Sequence, residues 1–560
     1  MGTALNIICN ACESNGGDNT ENYYVNESDT SAPQSIMDIK ISQKNFIIKR
    51  NKNLYEDYDK IKFLGEGAFG SVYKVRRKKS GTREIIRALK EISKEALNNH
   101  MESEEELKNE IEVLKNLDHP NIMKIYEFYE DDKFIYLINE FCGGGDIAGL
   151  NDKFGNFPEF LLKYVMFQVF LAIAFLHSNK VVHADIKREN IAFVCNDENK
   201  DKKEIENFFK NFFNDKEIQF ELAEASGLEN LSDKAYDFAK ELSNIQMKIL
   251  DFGSAKKKKK NIKEKLTGVT GTIYYCSPEV INEKYDFECD EWACGVMMYI
   301  LLTGDPPFEG NSEEEIFSNI KKSKLNLEHP KLKNVSENCK DLIKKLLEKK
   351  ANKRILSTDA LKHSFFKTGI NIGNLLMGKF KENETILRGM LRKNMTGKRM
   401  GKFKEVVIAY ISMNFGEQNV EKKARNIFME MSVGKEKHFL ITKDIFVSKM
   451  GQISKDLNKN EIEDLFDEID ENKTGNIEYE ELIRALSDKE KLLSDKNLKE
   501  AFSFFDKDNN GSISWNEIAE IVYPEGEIPK NTIKEFLNEI GKKDENMKMD
   551  YFEFKRVLKS

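Results

Sequence analysis

A chain of 560 residues, 40% hydrophobic and 33% charged, can hold two to three domains with proper cores. Its formal net charge of −8 argues against nucleic acid as the main partner, and its 8 cysteines fall into no framework or paired metal spacing, which suits a reducing cytosol. No apolar run approaches eighteen residues, so no membrane-spanning helix is expected. The chain opens Met1, Gly2, Thr3, Ala4, Leu5, Asn6, which places a glycine for myristoylation, although Asn6 stands where serine or threonine is preferred. Cys9 and Cys12 offer palmitate as the second signal that stable anchoring needs. A cytoplasmic protein with membrane attachment through these three residues is the expectation. Residues 13–50, rich in Asn, Ser, Asp and Glu, read as flexible, and a leader is set at 1–57.

From residue 58 the pattern changes. The run Leu64, Gly65, Glu66, Gly67, Ala68, Phe69, Gly70, Ser71, Val72 lies between alternating apolar segments that read as strands. Its glycines let backbone approach phosphate oxygens closely, but the triplet alone also fits a dinucleotide fold. There follow Ala88, Leu89, Lys90, then a helical stretch carrying Glu110, then the apolar strand Phe134 to Ile138 with Asn139, Glu140 and Cys142 after it. Next come His183, Ala184, Asp185, Ile186, Lys187, Arg188, Glu189, Asn190, and after a long gap Asp251, Phe252, Gly253. Thr272, the triplet Ser277, Pro278, Glu279, Asp290 before Trp292, and Arg354 complete the order.

That ordered set, covering residues 58 to 366, resembles a eukaryotic protein kinase. The resemblance implies an α+β bilobal fold in which Leu64 to Gly70, Val72, Ala88 and Lys90 hold ATP. Lys90 would take the α- and β-phosphates while pairing with Glu110, and Glu140 and Cys142 would offer backbone groups to adenine. Asn190 and Asp251 would hold magnesium. Asp185 would accept or orient the proton of the substrate hydroxyl, with Lys187, the usual serine/threonine kinase choice, and Thr272 beside it, and Arg354 would pair with Glu279. Such chemistry asks mainly for positioning and charge neutralisation, because the transition state spreads negative charge over the transferred phosphoryl oxygens.

Three departures stand out. Ala184 replaces an arginine that many kinases use to grip a phosphorylated loop, so control by loop phosphorylation is not expected. Arg188 replaces a proline and Ser277 an alanine. An insert of roughly fifty residues, about 196–246, separates Asn190 from Asp251. In it Phe208, Phe209, Phe212 and Phe213 recur at helical spacing, as do Leu231, Ala235, Phe238 and Leu242, which predicts amphipathic helix packed on its own domain or docking a partner. The lysine run Lys256 to Lys260 reads as a solvated basic loop, with contact to acidic substrates or lipid as the alternative.

Residues 367–424 form a junction. Ile386, Leu387, Met390 and Leu391 are interleaved with Arg388, Arg392, Lys393, Lys398 and Arg399, and Phe403, Val406, Val407 and Tyr410 follow. This is a basic amphipathic pattern of the kind that opened calcium sensors clasp.

The remainder, 425–560, repeats a calcium loop. Asp470, Asn472, Thr474, Asn476, Glu478 and Glu481 fill positions 1, 3, 5, 7, 9 and 12, with Gly475 at the turn. Asp506, Asp508, Asn510, Ser512, Ser514 and Glu517 do the same around Gly511. The apolar position 8 is Ile477, then Ile513, 36 positions on, and extending the period reaches Leu440 and Met549. Four hands in two pairs are expected, giving an all-α second domain. The outer two read as having lost the metal. A first loop begun at Val433 puts Lys435 and Lys437 where oxygens belong. The fourth has Lys542 and Met547 in place of the first ligand and the turn glycine, although Asp544, Asn546 and Glu553 survive.

Taken whole, the chain resembles the calcium-dependent protein kinases of plants and protists. The resemblance implies a calcium-activated serine/threonine kinase using ATP, magnesium and calcium, acting on protein substrates, and held inactive by its own junction until calcium loads the hands. The alternative is a calcium-responsive scaffold on an inactive kinase fold.

Overall fold

The computed structural model describes residues 41–50, 53–67, 70–78, 84–99, 104–194, 202–258, 266, 272–377, 389, 401–432, 440–453, 457–522, 530–542 and 548–559. All of them fall in one compact unit, Asp38–Ser560. Gly2, Cys9, Cys12, Ala68, Phe69, Lys259, Lys260, the junction residues Ile386 to Leu387 and Met390 to Arg399, and loop residues Val433, Lys435, Lys437, Asp544, Asn546 and Met547 lie outside the described residues.

The small lobe is a sheet of β1 (Lys49–Arg50), β2 (Tyr58–Gly67), β3 (Gly70–Arg77), β4 (Ile86–Ser93), β5 (Ile125–Glu130) and β6 (Phe134–Asn139) in the order β1-β5-β6-β4-β3-β2. Every neighbour pair is antiparallel except β1 with β5. Helix α1 (Glu104–Lys115) buries Leu107, Ile111 and Leu114 and so presents Glu110 to the interior.

The large lobe is helical, with α2 (Ile147–Phe154), α3 (Glu159–Ser178) and, later in the chain, a core helix Glu288–Thr303. The 20 residues of α3 are long and apolar enough to cross a membrane by composition, contrary to the sequence expectation. They are apolar because 89% of the window is buried inside the lobe, which makes α3 a core helix.

Strands β7 (Ile191–Val194) and β8 (Gln246–Ile249) pair antiparallel, Val194 opposite Gln246. The insert leaves and returns at the end of this hairpin, so it adds length without stretching the core of the large lobe. It folds as α4 (Lys202–Asn214), α5 (Lys216–Glu224) and α6 (Asp233–Leu242). Phe238 stacks on Phe208 and Phe212 at 4.6 and 4.5 Å, Phe209 packs on Phe193 of β7 at 5.1 Å, and Phe213 stacks on Phe154 of α2 at 5.4 Å. The insert therefore packs on its own domain.

The segment 1–57 is not a flexible leader to its end. Ile41, Phe46 and Ile47 are buried, and β1 joins the sheet edge. The strap 41–50 also reaches the C-terminal region, where Asn45 Nδ2 donates to the Ile521 and Val522 carbonyls at 3.1 and 3.4 Å.

The junction contributes α9 (Lys402–Phe415), here reached after the large-lobe helices α7 (Glu288–Thr303) and α8 (Glu337–Leu346). Its Phe403, Val406, Val407 and Tyr410 are all buried. The hands follow as α10 (Gln418–Ser432), α11 (Lys443–Ile453), α12 (Lys459–Ile469), α13 (Tyr479–Leu486), α14 (Asp495–Phe505), α15 (Trp515–Val522), α16 (Lys530–Glu539) and α17 (Tyr551–Lys559). The boundary expected at 424/425 falls inside α10, whose buried face of Ala424, Ile427, Phe428 and Met431 needs the whole helix.

Each hand pair is stitched by a short ribbon: β9 (Ile441–Thr442) with β10 (Asn476–Ile477), and β11 (Ser512–Ser514) with β12 (Lys548–Asp550). Met549 opposes Ile513, as the repeat predicts. Ile477 opposes Ile441, however, and not Leu440. The first hand's register is thus one residue later than expected, and its closing position falls on Ile445, which has no oxygen for a metal.

Candidate active site and calcium loops

Lys90 sits mid-strand in β4, flanked by Val72 of β3 and Leu137 of β6. Its ammonium lies 3.4 Å from Glu110 Oε1 and 3.0 Å from Asp251 Oδ1. Burial opposes that charge, but Glu110 and Asp251 outweigh it and hold Lys90 above its ordinary value. Lys90 in turn, working against burial, pulls the Asp251 carboxyl down.

Asp251 adopts a left-handed backbone, φ 56°, that turns its carboxylate toward Lys90. The next residue, Phe252, is buried against the His183 ring at 4.8 Å, and His183 Nε2 lies 3.1 Å from the Leu250 carbonyl. Asp290 fixes the other side of this loop, accepting the amides of His183 and Ala184 at 2.9 Å each while Ala184 takes φ 63°.

The carboxylate of Asp185 is held by three side chains. Lys187 Nζ and Asn190 Nδ2 donate to Oδ2 at 2.7 and 3.0 Å, and Thr272 Oγ1 donates to Oδ1 at 3.4 Å. Lys187 Nζ also donates to Thr272 Oγ1 at 3.1 Å, closing the set. The predicted residues Asp185, Lys187, Asn190 and Thr272 therefore meet at one point, and Lys90, Glu110 and Asp251 at another. Glu140 N donates to the Lys124 carbonyl at 2.8 Å, so any contact it makes with a base falls to its own carbonyl. Cys142 is half-buried beside it.

The glycines divide by role. A Cβ on Gly70 would lie 1.8 Å from the Glu91 carbonyl oxygen, so this glycine serves strand packing, whereas one on Gly65 would meet nothing within 4 Å. Open space over Gly65, the Lys90 ammonium, and hard oxygens from Asp251 and Asn190 make a donor set that fits a magnesium-bound triphosphate.

The structure also explains two departures that the sequence left open. Arg188 Nη1 donates to Asn151 Oδ1 at 2.7 Å and meets Asp152 Oδ1 at 3.2 Å, pinning the catalytic loop to α2 where a proline could not. Ser277 Oγ caps a short helix by accepting the Val280 amide at 3.4 Å. Arg354 forms the expected pair with Glu279, at 2.5 and 3.1 Å. Lys256 and Lys257 form a two-residue strand paired with Val182 and Val181, and Lys258 meets Asp286 at 2.5 Å. That stretch of the basic run is anchored structure.

Both complete calcium loops are pre-bent. In the first, Asp470 accepts the amides of Thr474 and Gly475 at 3.0 and 2.9 Å, and Glu481 accepts those of Asn472 and Glu478 at 3.1 and 2.9 Å. In the second, Asp506 accepts the amides of Asn510 and Gly511, both at 3.0 Å, and Glu517 those of Lys507 and Ser514, both at 2.7 Å. Gly475 and Gly511, at φ 82° and 83°, supply the turn. Asp506, Asp508 and Glu517 bring carboxylate oxygens within 4.8 Å of one another. Burial pushes Glu481 well above the usual carboxylate range, a cost that a divalent ion would reverse.

The model of the protein kinase domain matches residues 58–210 and 230–366, and that of the EF-hand domain pair matches 459–523. The gap in the first match lies in the insert. The chain is similar to a calcium-dependent protein kinase 3 of Plasmodium berghei, 32% identical over 93% of this chain and 83% of that protein. It is also similar to calcium-dependent protein kinases 4 and 5 of Plasmodium falciparum. Each is 30% identical over 92% of this chain, covering 88% and 80% of the respective proteins.

Proposed function

Because this chain belongs to the calcium-dependent protein kinases, we propose that Asp185 takes the hydroxyl proton of the substrate and that calcium at the loops 470–481 and 506–517 frees this cleft from the junction. The enzyme is a calcium-regulated protein kinase that uses ATP, magnesium and calcium and acts on protein substrates. The observation that carries activity over a scaffold on a dead fold is the closed bridge from Lys90 to both Glu110 and Asp251.

Each residue has a definable task. Lys90 holds the α- and β-phosphates, and Glu110 fixes where Lys90 points. Asn190 and Asp251 hold magnesium, which when bound neutralises charge on the phosphates. Lys187 and Thr272 hold the Asp185 carboxylate in place and aim it at the attacking oxygen. Lys187 also supports serine/threonine preference.

Control follows from where the junction lies. Its helix α9 is enclosed by the hands, with Phe403 5.8 Å from Phe554 and Tyr410 stacked on Phe504 at 4.0 Å. We read this as the released arrangement: without calcium the junction covers the cleft, and loading the hands draws it off. Loops of sensor type respond at roughly 0.1 to 10 micromolar calcium. The test is a calcium titration of phosphate transfer to a protein substrate, with Asp185→Asn as the blank. Equal rates in calcium and in chelator would refute the control and spare the enzyme.

The location we propose is cytoplasmic, with membrane attachment through acyl groups on Gly2, Cys9 and Cys12. A Gly2→Ala variant that sediments with membranes as fully as the unaltered chain would refute the attachment.

A further inference from the structure

The three position-12 glutamates of the hands are posed alike. Glu481 Oε2 accepts the Glu478 amide at 2.9 Å, Glu517 Oε2 the Ser514 amide at 2.7 Å, and Glu553 Oε2 the Asp550 amide at 3.3 Å. They differ in what stands at position 1. There the second and third loops carry Asp470 and Asp506, whereas the fourth carries Lys542, whose Nζ lies 2.8 and 2.9 Å from the two carboxylate oxygens of Glu553. A bidentate glutamate at this position is what closes a calcium sphere. Here both of its oxygens are already taken by a cation that belongs to the chain.

We propose that the fourth hand is a calcium-free hand closed by an internal cation, the Lys542 ammonium filling at Glu553 the seat that calcium fills at Glu481 and Glu517. The seat is anchored at both ends. Lys542 lies in the turn that closes α16, its amide donating to the Leu537 carbonyl at 2.8 Å after Gly541 turns at φ 71°. Glu553 lies in the first turn of α17, its own amide donating to Asp550 Oδ1 at 2.8 Å. The ion pair therefore ties the two helices of this hand as a metal would, at any calcium concentration. Its neighbour Phe554 packs on Phe403 of the junction at 5.8 Å and on Phe502 of the third hand at 5.5 Å. The C-terminal pair so keeps half of its grip on α9 without metal, while the third hand remains the calcium-dependent half.

The experiment is calcium binding to the full chain by calorimetry after stripping with chelator, read beside thermal melting in chelator. Two ions per chain are expected. Glu481→Gln and Glu517→Gln each remove one, and Glu553→Gln removes none. Lys542→Met and Glu553→Gln each lower the melting midpoint in chelator by about 2–4 °C, and the double variant melts no lower than the worse single one. Lys542→Arg, which keeps the cation, restores most of the midpoint. A third ion in the unaltered chain, loss of an ion with Glu553→Gln, or an unchanged chelator midpoint in Lys542→Met would each overturn the proposal.

Discussion

Glu480, one residue before the loop-closing Glu481, forms a buried ion pair with Lys124 of the kinase domain, and its amide donates to Asp118 Oδ2 at 2.7 Å. The proposed calcium ligand and the kinase contact are thus separated by a single peptide unit at the start of α13. Any movement of Glu481 onto an ion moves Glu480, and by thermodynamic reciprocity the kinase contact must bias calcium affinity at this loop. Removing one partner of a buried pair typically costs about 3–5 kcal/mol. Glu480→Ala is therefore expected to raise the calcium concentration for half-maximal activity at least about tenfold, the equivalent of about 1.4 kcal/mol of that cost. An activity titration on the variant checks this, and an unshifted midpoint would show that the pair is passive.

The strap makes a second tie. Phe46 lies 5.9 Å from Tyr410 of the junction and 6.4 Å from Phe504 of the third hand, and Arg50 stands over the Phe504 ring at 5.1 Å. Strand β1 meanwhile pairs with β5, so one segment joins sheet, junction and hand. Phe46→Ala, a large-to-small change at a buried site, should cost about 3–5 kcal/mol. A lower melting midpoint together with a reduced calcium-stimulated rate is the expected outcome. A stability loss with full stimulation would confine the strap to a structural role.

The meeting of the candidate site's groups was largely legible because they come from short motifs whose internal spacing fixes geometry. Asp185, Lys187 and Asn190 share one loop, and a loop that short leaves little freedom in how they meet. The calcium loops read well for the same reason, twelve residues with oxygens at positions 1, 3, 5, 7, 9 and 12. What did not read were contacts between segments far apart in sequence. Ile41, Phe46, Ile47 and Ile48 mark the strap as a segment with apolar surface to bury, but nothing there announces that Asn45 reaches Ile521, and nothing around Glu480 announces Lys124. The first hand slipped by one because Leu440 and Ile441 are adjacent apolar residues, and only the pairing of Ile441 with Ile477 decides between them. Helix α3 misled in the opposite direction, since complete burial in a lobe selects the same composition as a bilayer does.

Acid–base behaviour offers a check on the large lobe. His177 Nε2 lies 2.9 Å from Asp290 Oδ2 and its Nδ1 lies 3.4 Å from Glu291 Oε1. Burial works against the imidazolium, but the charges of Glu291 and Asp290 prevail and raise it from 6.5 to about 10. A cation stabilised by folding contributes fully below its unfolded value and loses that contribution as pH rises through its folded value. The melting advantage of the unaltered chain over His177→Gln should be greatest below pH 6.5, decline as pH rises, and be lost as pH passes about 10. An advantage that grows with pH would contradict the pairing. Because Asp290 also holds the amides of His183 and Ala184, activity should fall over the same alkaline range.

The insert gives the last test. If α4 to α6 existed only to receive a partner, trimming their aromatic core would leave the isolated enzyme's stability untouched. Phe209 is fully buried and packs on Phe193 of β7, in the strand that directly follows Asn190 of the catalytic loop. The end of the insert also supports the hands, since Arg425 of α10 donates to the Ser243 carbonyl at 3.1 Å. Phe209→Ala leaves a cavity in this core and should cost about 3–5 kcal/mol, read as a lowered denaturant midpoint with an unchanged slope. Phe220, 70% exposed on α5, provides the control, because Phe220→Ala removes no buried contact and should leave the midpoint where it was. Equal effects from the two substitutions would mean that the insert is held by something other than its own aromatic core.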